Sequence, residues 1–155
     1  MKYIKTFENY VNSKPNINSI LNSYLNCALW TEEERIEEEN DMYNDDMYGE
    51  DDDENNIKDY LPEIDFNIEN IAPDAKIKAY EDIKKFLELA GNAIDGIIED
   101  DLGYDIWLSR NNSGSGFIDR DYDDYIKNIL ESSAQKLGTC DLYLGEDGMF
   151  HFEQE

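Results

Sequence analysis

Residues 103–120 read GYDIWLSRNNSGSGFIDR, and what this stretch becomes decides the architecture of the chain. Tyr104, Ile106, Trp107 and Leu108 give its first half the aromatic and β-branched content of a strand, which predicts a strand over 103–110 buried on at least one face. The second half reads as a loop. Asn111, Asn112, Gly114 and Gly116 accept positive φ at low cost, so the chain can turn sharply there. Phe117 and Ile118 then return it to the core. Arg110 and Arg120 bracket the loop, and two cations around a glycine-rich turn stand out in a chain with 38 Asp and Glu against 13 Lys and Arg.

Outward from this stretch the apolar spacing is helical. Ile17, Ile20, Leu21, Tyr24, Leu25, Ala28 and Leu29 mark a helix over 17–30 with one face toward the core, closed by Trp30 as a buried anchor. Before it, Tyr3, Ile4, Phe7, Tyr10 and Val11 suggest a short amphipathic helix within 1–16 that Pro15 ends. Pro73 suits a first helical turn, and Ile77, Tyr80, Ile83, Phe86, Leu87 and Ala90 carry a helix over 73–90 that Gly91 stops. A shorter helix is expected over 93–99. Residues 121–137 form a further amphipathic helix through Tyr122, Tyr125, Ile126, Ile129 and Leu130, stopped by Gly138. Two alternating runs, 140–144 and 149–153, flank Gly145-Glu146-Asp147-Gly148 and predict a hairpin. The segment 61–72 docks Ile64, Phe66, Ile68 and Ile71 on the core. Together these elements predict one α+β domain over 1–155: a small, mainly antiparallel sheet of about three strands (103–110, 140–144, 149–153) packed by helices 17–30, 73–90 and 121–137.

The formal charge of −25 makes direct binding to nucleic acid or to an anionic membrane unfavourable, and it favours basic partners. The charge is concentrated. Between Thr31 and Tyr60 stand fifteen acidic residues against Arg35 and Lys58. A helix through Glu32–Glu39 is expected there, followed by a flexible stretch over 40–56 that has too little apolar surface to offset its ordering entropy. Cys27 and Cys140 match no metal or redox spacing and read as small buried apolar groups in a reducing compartment. With no apolar run of membrane-spanning length and no signal-peptide pattern, a soluble protein of the cytoplasm is expected.

Candidate chemistry is sparse. His151, the single histidine, stands in a terminal strand with no nucleophile and acid pattern around it, so no catalytic residue is assigned. Ser113-Gly114-Ser115-Gly116 lacks the endings of a phosphate-binding loop. Arg110, Asn111, Gly114, Gly116 and Arg120 have two readings: an anion nest for a small ligand, or a structural turn whose arginines pair with Asp105, Asp119 or Asp121. The turn is favoured. No metal site or cofactor is expected, since the Glu50–Glu54 run lacks the calcium-loop pattern. The acidic stretch also has two readings. It is a solvated surface that keeps the chain soluble, or it is a partner surface in which Glu37, Glu38, Asp45, Asp46, Glu50, Asp51, Asp52, Asp53 and Glu54, with Tyr43 and Tyr48, occupy a cationic channel in place of DNA.

Tyr24, Cys27-Ala28-Leu29-Trp30, Ile68–Pro73 (IENIAP), Gly103–Arg120, Asp141-Leu142-Tyr143 and Gly145–Gly148 carry a resemblance to an uncharacterised family of small acidic proteins of bacteriophages and mobile elements. The family's central motif is GHDFWLTRNGHGAGFWDR. Its two histidines fall here on Tyr104 and Ser113, and its second tryptophan on Ile118. The resemblance implies a phage accessory protein made in the host bacterial cytoplasm, with no reaction attached. Joined to the charge, it suggests an anti-defence protein that acts on a basic host protein by DNA mimicry; the alternative is a sponge for a phosphorylated signal held by the glycine loop. Oligomeric state is left open.

Overall fold

The computed structural model describes residues 16–47 and 64–154. The helix expected within 1–16 and residues 48–63 of the acidic segment and its sequel lie outside the described residues. The elements are α1 (Ile17–Met47), α2 (Pro73–Ala90), α3 (Glu99–Arg110), α4 (Asp124–Gln135), β1 (Cys140–Leu144) and β2 (Phe150–Gln154), with short 3₁₀ turns at Ile68–Asn70, Gly91–Ile94 and Phe117–Asp119. The class is α+β: mainly helical, with a small two-stranded antiparallel sheet.

The expected strand over 103–110 is a helix, which corrects the reading of the central stretch. Leu102, Ile106 and Ser109 are buried at helical spacing, and so are Gly103, Trp107 and Arg110 one position further round. Glu99, Asp100 and Asp101 occupy the first turn and Arg110 the last, so charge and helix dipole agree at both ends. Aromatic content suggested a strand, but spacing and end charges favour a helix, and packing against α1 settles the outcome. The two helices run in the same direction, as contacts from Ser23 to Glu99, Cys27 to Tyr104 and Thr31 to Trp107 show. Gly103 makes the crossing close. A Cβ there would lie 1.8 Å from Ser23 Oγ, 2.4 Å from the Ile20 carbonyl oxygen and 2.6 Å from the Tyr24 nitrogen.

Asn16 caps α1, its Oδ1 accepting from the Asn18 and Ser19 amides. The helix then runs 31 residues, about 47 Å at ~1.5 Å per residue, instead of ending near Trp30 and loosening at Asn40. Glutamate and arginine are good helix formers, and Arg35 bridges Glu32 and Glu39 at 2.6 Å each, one turn before and one after. Trp30 is 47% exposed rather than a core anchor. The inward face is set by Ile20, Tyr24, Cys27 and Ala28, and Trp30 follows Asn22 and Asn26 along an exposed line. The α2 face is also turned, by roughly a sixth of a revolution. Ala75, Ala79, Asp82, Ile83, Phe86 and Ala90 face inward while Ile77 and Tyr80 are exposed, because alanines admit neighbouring helices closely and Asp82 is required inside.

The hairpin lies where expected. β1 pairs β2 antiparallel with Leu142 opposite Phe152, and Gly148 at φ +81° closes the turn. On the other side of β2 there is a single parallel bridge to Ile71, whose neighbour Ala72 donates its N–H to the Phe150 carbonyl. Among the described residues no third strand joins this pair, and Ile71 meets it through an isolated bridge instead. Phe152 packs on Tyr24 and Trp107, joining hairpin to helices.

Gly103→Ala is expected to cost about 3 kcal/mol or more, because two of the atoms in the way are backbone. Urea denaturation measures it, and adding Ser23→Gly should recover only part of the loss.

Candidate functional site

Arg110 lies at the junction of the fold with its side chain wholly buried. Its Nη1 donates to the Tyr24 hydroxyl at 2.8 Å and to Asp82 Oδ2 at 2.9 Å, its Nη2 to the Leu137 carbonyl at 2.9 Å, and its Nε to the Gly138 carbonyl at 2.7 Å. Lys78 adds a second cation at Asp82 Oδ1, 3.3 Å away. Burial pushes the Tyr24 hydroxyl far above its ordinary range despite the guanidinium beside it, so it remains a neutral hydroxyl.

Arg120 is committed elsewhere. Its Nε meets Asp105 Oδ2 at 2.7 Å and its Nη2 meets Asp105 Oδ1 at 3.2 Å, with Asp101 at 3.4 Å. Asp105 is one of the partners the sequence left open. Burial raises its carboxyl above the usual range, and Arg120 works against that shift.

The loop between the arginines is fastened inward. Asn111 accepts the Cys140 N–H through Oδ1 at 2.8 Å and donates from Nδ2 to the Trp107 carbonyl at 3.0 Å, tying α3 to β1. Gly116, at φ +98°, lies so close to α3 that a Cβ would meet Ser109 Oγ at 2.4 Å, and the next amide, Phe117 N–H, donates to that same oxygen. Gly114 faces open space. Arg110 and Arg120 therefore do not converge on the glycines, and each is engaged by an internal carboxylate. The small-ligand reading loses both of its cations.

Groups able to do chemistry are similarly engaged. Ser109 is fully buried, and burial pushes the Cys27 thiol up to about 12, which leaves little thiolate near neutrality. His151 contacts both carboxylate oxygens of Asp147 at 3.0–3.1 Å and stacks on Tyr143. The Met149 N–H, then His151, hold the Asp147 carboxyl below its ordinary value. Among the described residues no group of three or more His, Cys, Asp and Glu is placed to hold a metal, and no helix is long and apolar enough to cross a membrane.

What remains is the acidic half of α1. Glu34, Glu37 and Glu38 are exposed and, among the described residues, have no cation within salt-bridge distance, while Glu32 and Glu39 share Arg35. Tyr43, Asp45 and Asp46 fall on the same continuous helix. Tyr48, Glu50, Asp51, Asp52, Asp53 and Glu54 lie outside the described residues. From Glu32 to Met47 nine acidic side chains occupy sixteen positions, about one per 2.7 Å of helix, against about 3.4 Å per charge along one DNA strand. Sequence reasoning missed Tyr24 and Asp82 as polar partners of Arg110. The spacing of Gly103, Trp107 and Arg110 was the available signal that Arg110 points inward. No family model, curated protein or solved structure matches the chain.

Asp82→Ala strands the buried Arg110 charge and is expected to cost about 3–5 kcal/mol in urea denaturation, whereas the paired change Asp82→Leu with Arg110→Met should cost less. The buried thiol gives a second expectation. With a folded pKa raised above that of the unfolded chain, Cys27 contributes stability that is present below pH 9 and is lost as pH rises toward 12, at up to about 1.4 kcal/mol per unit. Thermal melts at pH 9 and pH 10 should show Cys27→Ala losing less stability over that interval than the parent chain.

Proposed function

We propose that this chain is a non-enzymatic interaction protein of a phage or mobile element that binds a basic, nucleic-acid-binding protein of the host bacterium and competes with nucleic acid for it. The observation that supports this reading is the acidic half of α1, a long helix whose charge spacing is close to that of a DNA strand and on which Glu34, Glu37 and Glu38 have no cation within salt-bridge distance among the described residues. The chain's overall charge of −25 acts in the same direction, because long-range attraction raises the encounter rate with a cationic channel and disfavours acidic competitors. The alternative, a module that sequesters a phosphorylated small molecule, needed Arg110 and Arg120 free at the glycine loop. Both are paired inside the fold.

Affinity capture from a bacterial lysate, read by mass spectrometry, tests the reading. It should recover a nucleic-acid-binding protein at about 50 mM salt and far less at about 200 mM, and added duplex DNA should release the captured protein. Capture that is indifferent to salt and to DNA would overturn it.

A further inference from the structure

We infer that the partner surface is centred on Trp30, on the flank that α1 and α3 share, and that it receives an arginine-bearing protein surface rather than a general polycation. The inference rests on the reading of the acidic helix as a partner surface and gives that surface a centre and a chemistry.

Trp30 is 47% exposed and Tyr104, on the adjacent helix, 37%. Both flank one seam. The Cys27 thiol reaches the Tyr104 carbonyl, Trp30 follows Cys27 by one turn, and at about 100° per residue in two parallel helices both aromatic side chains fall on the same side. The same rotation places Glu34 and Glu37 within about 40° of Trp30 along α1, with Glu38 beside them. Arg35, Glu32 and Glu39 lie on the opposite side, where the guanidinium is shared between the two carboxylates and offsets part of their charge. Among the described residues the helix therefore has a partly compensated back and a front without a paired cation, which begins with an indole. Trp107 makes the contrast plain: its Nε1–H donates to Thr31 and its ring packs on Tyr24 and Phe152, whereas no ring stacks on Trp30 among the described residues.

An exposed tryptophan bordered by exposed carboxylates is complementary to guanidinium. The planar group stacks on the indole face while its N–H fork pairs with a carboxylate, and lysine does only the second well. Tryptophan and arginine also lead the residue types that dominate interface energies. Nucleic acid and anionic lipid are repelled by the same carboxylates.

The test uses the full chain with deca-arginine and deca-lysine peptides near 150 mM salt, following tryptophan emission and affinity in the parent, Trp30→Ala, Trp30→Phe and a Glu34→Gln/Glu37→Gln/Glu38→Gln variant. Trp30→Ala should still melt in one cooperative transition, no more than modestly below the parent, since about half of the side chain is exposed and it is not among the buried core residues. Expected are tighter binding of deca-arginine than deca-lysine, a shift in emission that Trp30→Ala abolishes, a loss of roughly three- to thirty-fold in deca-arginine affinity in Trp30→Ala, and recovery of most of it in Trp30→Phe. The glutamine variant should weaken both peptides and flatten their salt dependence. Equal binding of the two peptides, or of parent and Trp30→Ala, overturns the Trp30-centred surface yet leaves a general acidic surface in place. Failure of both peptides at low salt removes the underlying reading as well. If removal of residues 2–14 alone shifts Trp30 emission to the red, the chain's own N-terminal segment is the occupant, which also overturns the inference.

Discussion

A guanidinium sealed from water must find acceptors for its N–H groups or destabilise the fold, and Arg110 finds them on separate parts of the chain. Tyr24 comes from α1, Asp82 from α2, and the Leu137 and Gly138 carbonyls from the link between α4 and β1. The cation itself stands on α3. Every helix orientation in the domain is constrained at that point: α2 must turn Asp82 inward, α1 must present Tyr24, and the chain after α4 must expose two carbonyls before it can form the hairpin. A buried pair of this kind contributes little net stability compared with an apolar replacement, but its geometry is demanding, and a different arrangement of these elements would leave a charge unpaired.

The consequence for the surface is a division of the charges. Arg110 and Arg120, the two cations with a conspicuous sequence setting, are both used internally, on Asp82 and Asp105. The glycine loop between them is drawn onto Ser109 and cannot cradle an anion with its Phe117 amide. On α1 the balance is reversed. Past the packed section the helix carries mostly carboxylates, and the one arginine among Glu32–Glu39 serves the back of the helix. The scaffold and the anionic surface are thus built from different residues of the same helix, so a change in one can be made without a change in the other.

The coarse class and the hairpin were legible in the sequence because each depends on short-range chemistry: turn glycines, alternation and apolar periodicity. The central stretch was misread for an instructive reason. Ile106 and Trp107 suit a strand, but Gly103 suits a close helix crossing, and that is visible only once α1 lies against it. Trp30 and Ile77 were placed inside because large apolar residues usually are; the inward faces were instead set by Cys27 and Ala28 on α1 and by Ala79 and Asp82 on α2. Of the candidate ligand residues, Arg110 and Asn111 are held by the fold largely through partners 27 to 86 positions away, beyond the reach of local pattern. The acidic residues were legible as charge. Their arrangement on one helix with a partly compensated back was not, since it depends on the pairing of Arg35.

On this reading the cation-bearing core is structural and the front of α1 is the surface that meets a partner. Hydrogen–deuterium exchange of the full chain, free and saturated with deca-arginine, separates the two roles. Added protection is expected from about Trp30 onward along α1 and at the neighbouring Tyr104 turn, with the amides of Phe117 and Cys140 unchanged. Protection that appears instead across 111–118, at the loop between Arg110 and Arg120, would contradict it.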